Sequence, residues 1–309
     1  MRRVLYTYLL IVVFIPLEGI SQIKVAEIPF LMDRNKVILP TSIQDSVKLN
    51  LILDSGMPWD GIYLFKKQHT SHIGKDPATT VDVGGAGSDN PTSSLLFDSV
   101  DFSTGNMKFN NQYVVVSQSD RTQTFPTDGI IGWSIFGHYI VDVNFDLQII
   151  TLYDTVSEIS RDNYKRIPVE LIGNIPYLEA RVNINGDKDV DVVMYLDMGA
   201  GEAIELLVRE NNKFVIPIEC DAYTLTGLSG DINGKVCRVN SFELAGYKLY
   251  DVPSTFPDAA QRSKKWHADG ILCTNALRRF NAIFDYSRKS IYIKPNKNFS
   301  SPFITDVTR

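Results

Sequence analysis

The chain reads as a mostly-β protein of two similar lobes sharing one cleft. Three observations predict this: strand-period alternation along nearly the whole sequence, turn signals at close spacing with no long amphipathic helix, and an internal repeat that spans both halves. At 309 residues the chain also exceeds the size at which one core usually keeps growing.

Apolar, β-branched and aromatic residues recur in short runs such as Lys48–Leu53, Tyr113–Val116 and Ser290–Ile293. Asn185-Gly186 and Asn233-Gly234 sit between such runs and predict tight hairpin turns. Short helices are expected only around Trp133–Tyr139 and Thr274–Phe280.

The repeat has four parts in the same order. Leu51-Ile52-Leu53-Asp54-Ser55-Gly56 is echoed 143 positions later, aspartate to aspartate, by Met194-Tyr195-Leu196-Asp197-Met198-Gly199. A glycine-rich turn follows in each half, Gly84-Gly85-Ala86-Gly87 and Gly227-Leu228-Ser229-Gly230. Asp128-Gly129-Ile130-Ile131-Gly132 then matches Asp269-Gly270-Ile271-Leu272-Cys273, and Phe145-Asp146 matches Phe284-Asp285. The expected organisation is a first lobe over 22–153, a polar connector over 154–166 and a second lobe over 167–309.

Arg2 and Arg3 precede an apolar stretch, Val4–Pro16, too short to span a bilayer, followed by Gly19 and Ser21 ahead of Gln22. This pattern predicts a signal peptide over residues 1–21 and export to a periplasm or beyond, with no membrane span after its removal. A net charge of −5 with scattered Lys and Arg gives no footprint for nucleic acid. Cys220 and Cys237 could bridge a hairpin-sized loop, or all three cysteines, with Cys273, could be buried thiols. His69 and His72 lack further ligands and are expected to face solvent, so neither a metal nor any cofactor is expected. No G-x-S-x-G elbow or phosphate-binding loop occurs. Asp128 and Asp269, like Asp146 and Asp285, read as turn formers, and Trp59 as either a pocket wall or plain packing.

One Asp-Ser-Gly after an apolar run is ordinary turn chemistry. Two copies in matched lobes are different, because pseudo-twofold packing would set Asp54 and Asp197 side by side. Adjacent carboxylates cannot both ionise easily, so they share a proton. The ionised one can then deprotonate water while the neutral one polarises a carbonyl, which is hydrolysis without a covalent intermediate.

These residues resemble the aspartic proteases of the pepsin and retropepsin type, particularly exported bacterial ones, over about Val37–Lys294. The resemblance implies a bilobal acid-protease fold with Asp54 and Asp197 catalytic and Ser55, Gly56, Met198 and Gly199 shaping the active-site loops. It also implies flaps at Gly84, Gly85 and Gly87 and at Gly227 and Gly230, closing over an extended peptide. The expected partner is a polypeptide substrate, and the chain is expected to be a monomer. Met198 stands where the family has a Thr or Ser, Met57 where it has a small residue, Cys273 where it has Gly, and the first flap has no evident Tyr. Met198 and Cys273 motivate an alternative: an inactive relative that binds extended peptides in the same cleft.

Overall fold

The computed structural model describes residues 22–87, 91–207, 215–258 and 267–303. The expected signal peptide lies outside the described residues.

The internal repeat is a structural one. In the first half an eight-stranded sheet runs in the spatial order Leu31–Asp33, Lys36–Ile43, Val47–Leu53, Gly129–Ile131, Ile62–Leu64, Met107–Ser117, Thr92–Thr104, Thr79–Val83. The second half repeats that order with Glu170–Ile172, Ile175–Asn183, Asp189–Asp197, Gly270–Cys273, Ile204–Leu206, Tyr247–Pro257, Gly230–Leu244, Asp221–Gly227. The strands that end at the two aspartates run parallel to Gly129–Ile131 and Gly270–Cys273 respectively. Such strands have both faces covered, which is why their sequences are continuous apolar runs rather than alternating ones.

A third, six-stranded sheet joins the halves. Lys24–Pro29, Ile149–Tyr153 and Ile140–Asn144 come from the first half, and Phe280–Asp285, Ser290–Pro295 and Lys165–Pro168 from the second. Its central antiparallel pair, with Asp142 opposite Ile283, places the pseudo-twofold relation between the halves. Phe136 packs edge-on to Phe284 at 5.0 Å, so the apolar core runs from one half into the other. The last expected connector residues, Lys165 and Arg166, already pair in this sheet. Buried Asp285 caps the turn after its strand and takes Arg161 at 2.8 Å and Arg288 at 3.0 Å.

The short helices are Trp133–Phe136 and Thr274–Leu277. Two sequence expectations fail. Asn233-Gly234 makes no turn but lies inside Gly230–Leu244, and the hairpin turns at Leu228-Ser229 instead. Gly234 is there because the backbone of Phe256 and Pro257 passes too close for a side chain. His69 is buried rather than solvent-facing, held against the Asp128 carboxylate at 3.3 Å, whereas His72 is exposed. The half-buried Asp128 that meets it is distant in sequence, which a local reading of a polar loop misses.

Candidate active site

Each aspartate sits where a doubly covered strand turns. The amide of Asp54 donates to the Ile131 carbonyl at 2.8 Å, and Gly132 beyond it leaves no room for a Cβ beneath the Asp54 backbone. The repeated acids Asp128 and Asp269 fasten the same strands one turn earlier: Asn50 N–H donates to Asp128 at 2.9 Å and Val193 N–H to Asp269 at 3.0 Å. These are the positions four residues before Asp54 and Asp197. Hydrogen bonds from His69, Asn50 and Lys66 outweigh burial at Asp128 and hold its carboxyl down at about 2.

The two aspartates come together. A point one bond from Gly56 lies 3.1 Å from Asp54 Oδ1 and 3.4 Å from Asp197 Oδ1, and the corresponding point at Gly199 lies 2.7 Å from Asp54 Oδ2. Each loop glycine therefore backs onto the other half's carboxylate, and any side chain at 56 or 199 would displace the pair. Each glycine also donates its N–H to the aspartate of its own loop, Gly56 to Asp54 Oδ1 at 2.7 Å and Gly199 to Asp197 Oδ1 at 2.8 Å. Burial, then the neighbouring Asp197 charge and the hydrogen bond between the carboxyls, hold Asp54 well above the usual carboxylate range. The Gly56 amide and the Lys36 charge pull the other way and do not prevail.

The departures have structural answers. Ser55 makes one half of a cross-link between the loops: its hydroxyl donates to the Leu196 carbonyl at 2.9 Å and accepts from Met198 N–H at 3.0 Å. Met198 supplies no reciprocal hydroxyl and is fully buried in the main core. Thr274 instead supports that loop from below, donating to the Met198 carbonyl at 2.9 Å. Met57 and Cys273 explain each other across the pseudo-twofold. In the first half large Met57 abuts Gly132, whose Cβ would stand 2.7 Å from the Met57 Cβ. In the second half the equivalents are small Ala200 and Cys273, packed in one cluster. Size has moved from one member of the contact to the other.

The glycine-rich turns of the two halves meet. Ser229 N–H donates to the Ala86 carbonyl at 2.8 Å, Gly85 N–H to Ser229 Oγ at 3.0 Å, and Thr92 Oγ1 to the Leu228 carbonyl at 3.1 Å. Arg121 bonds Asp231 at 2.6 Å beside them. A Cβ on Gly85 would strike Leu228, one on Gly87 the Ser229–Gly230 backbone, and one on Gly227 the Ala86 backbone. Gly87 and Gly230 also have φ of 128° and 126°, while Gly84 faces open space. Cys220 and Cys237 are joined as a disulfide at the base of the second hairpin, and Cys273 is a buried thiol. Beside the first loop, Trp59 does both things its position allowed. It packs on an apolar cluster and also lines a cavity of about 530 Å³ with Val81, Val83 and Tyr113.

No protein-family profile and no curated protein sequence matches the chain. Among solved structures it is similar to the aspartic proteinase from Irpex lacteus, with a TM-score of 0.56 at 11% identity over 90% of this chain and 99% of that one. The fold is that of a pepsin-like proteinase. In this pepsin-like frame the residues that sequence reasoning missed are Lys36, Thr274 and Tyr195. The Tyr195 hydroxyl donates to Asp197 Oδ2 at 3.3 Å. Two residues before Asp197 on the same strand, it shares that side of the sheet by period-two alternation, so the signal was present. Among the described residues no cluster of metal-ligating side chains and no helix long and apolar enough to cross a membrane occurs.

Proposed function

We propose that the chain is an aspartic endopeptidase. The observation that carries this reading is the meeting of two carboxyl groups, one from each half, with the Asp54 carboxyl pushed well above the usual carboxylate range by burial and by its partner. A water between them loses a proton to the ionised carboxylate and attacks the peptide carbonyl, while the protonated carboxyl donates to the carbonyl oxygen. The amine then leaves with the proton that the first carboxylate had taken up, a hydroxyl of the collapsing diol returns its proton to the other, and both carboxyls regain their starting states. An extended polypeptide would lie between the dyad and the two glycine-rich hairpins, pairing its backbone with them. Export of a monomer after loss of residues 1–21 is part of the proposal, and the Cys220–Cys237 disulfide supports an oxidising compartment.

The contact between the two hairpins favours one second reading, a chain that holds peptides without cutting them. One experiment separates the two. The chain from Gln22 onward is incubated with denatured protein between pH 3 and 7, with products read by mass spectrometry. Peptidase activity abolished by Asp54→Asn and by Asp197→Asn is expected. Binding without cleavage favours the second reading, and cleavage that survives either substitution refutes the dyad.

A further inference from the structure

We infer that Tyr195 is a positioning residue that makes the dyad asymmetric, stabilising negative charge on Asp197 and leaving the shared proton on Asp54. This rests on the peptidase reading for its consequence in turnover, though not for its NMR test.

The two carboxyls are treated alike by their loops, each receiving one glycine amide through Oδ1. They differ at the second oxygen. Asp197 Oδ2 receives the Tyr195 hydroxyl at 3.3 Å. The equivalent of Tyr195 in the first half is Ile52, buried in an apolar cluster with nothing to donate. The neighbouring positions offer no substitute, since Met57 and Ala200, three residues after the aspartates, carry no hydroxyl. A donor aimed at a carboxylate favours its charged form, so of two coupled acids the one with the extra donor gives up its proton first.

Tyr195 is placed to do this and nothing looser. It is buried, its ring centroid lies 6.1 Å from that of Tyr177, and it packs with Ile271, Cys273 and Ala200. The ring position is thus set by the core while the hydroxyl reaches the site. Among the described residues, the titratable groups around the pair include Asp54 from the facing loop, Lys36 from the hairpin beside it, Tyr177 from the adjacent strand and Cys273 opposite Asp197 in the parallel register. Lys36 acts on Asp54 and opposes its retention of the proton, so it cannot be the source of this asymmetry. The consequence is a division of labour: Asp197 is the base toward water and Asp54 the acid toward the substrate carbonyl.

The test uses Tyr195→Phe, which keeps the ring and removes the hydroxyl, in the chain from Gln22 onward. Carboxyl-carbon NMR with labelled aspartate reads the lower of the pair's two titration midpoints and needs no turnover. That midpoint should rise by about one pH unit, the small end for a hydrogen bond to a charged acceptor because 3.3 Å is long. The acid limb of kcat/KM should move by the same amount, with kcat reduced about tenfold and KM unchanged. Incorporating 3-fluorotyrosine at 195, a stronger donor of nearly the same size, should move the midpoint the other way, and it carries the test if the Phe variant does not fold. A midpoint unchanged by either folded variant overturns the inference. Cleavage persisting in Asp54→Asn would instead remove the two-aspartate mechanism under Proposed function and leave the NMR result standing.

Discussion

Ser55→Ala tests how much of the site's geometry hangs on one buried hydroxyl. In the structure that oxygen accepts from Met198 N–H and donates to the Leu196 carbonyl, both in the opposite half. Removing it strands a buried amide, which costs about 1–3 kcal/mol, and forfeits a second bond worth about 1 kcal/mol. No neighbouring hydroxyl replaces it, because residue 198 is Met, so a total of about 2–4 kcal/mol is expected. At the roughly 2–3 °C per kcal/mol of a chain this large, Tm should fall by about 5–10 °C. Urea unfolding of the two proteins at pH 5 measures the difference directly. The loops also lose their register, so cleavage should fall more steeply than stability at temperatures where both proteins are folded. Ser55→Thr, which keeps the oxygen, should retain most of both. A loss below about 0.5 kcal/mol in Ser55→Ala would show that sheet packing alone aligns the loops and would refute the argument.

Two further outcomes follow from packing and charge. Ala200→Met should destabilise the second half by about 1–3 kcal/mol through overpacking against Cys273, and Cys273→Gly should largely rescue it, measured as a double-mutant cycle in urea; additive effects would sink the size-exchange argument. Asp142, half-buried in the joining sheet with Oδ1 unpartnered, is pushed up to about 6 by burial, against the pull of Lys294. The folded chain then holds that proton more tightly than the unfolded chain, so the stabilisation is complete below about 3.8 and is lost as pH rises through 6. Asp142→Asn should therefore be more stable than the parent at pH 7 by about 1–2 kcal/mol, with the gap closing by pH 3.5 in calorimetric scans.

Much of the frame was legible because the repeat is written in residue types that local backbone geometry demands. Apolar runs ending in Asp-x-Gly mark doubly covered strands that turn, and two copies in order imply two matched sheets. The glycines at 56 and 199 were visible as loop formers, yet their reason is non-local: each leaves space for the other half's carboxylate. Asn233-Gly234 misled because a turn dipeptide and a close backbone approach call for the same small residue, and only the position of Phe256 distinguishes them. His69 misled because its partner, Asp128, lies 59 residues away. The six-stranded sheet could not be foreseen, since its strands carry no mark of which half they will pair with.

The class of structure and the two acids were written locally, since strand period, turn chemistry and the duplication are properties of neighbours along the chain. Whether those acids meet, which of them receives a second donor, and whether the glycine turns face a cleft or each other were decided only in three dimensions. Distances between residues 143 positions apart depend on how two sheets pack through a third. Proton sharing depends on burial and on separations of a few ångströms, which no local pattern encodes.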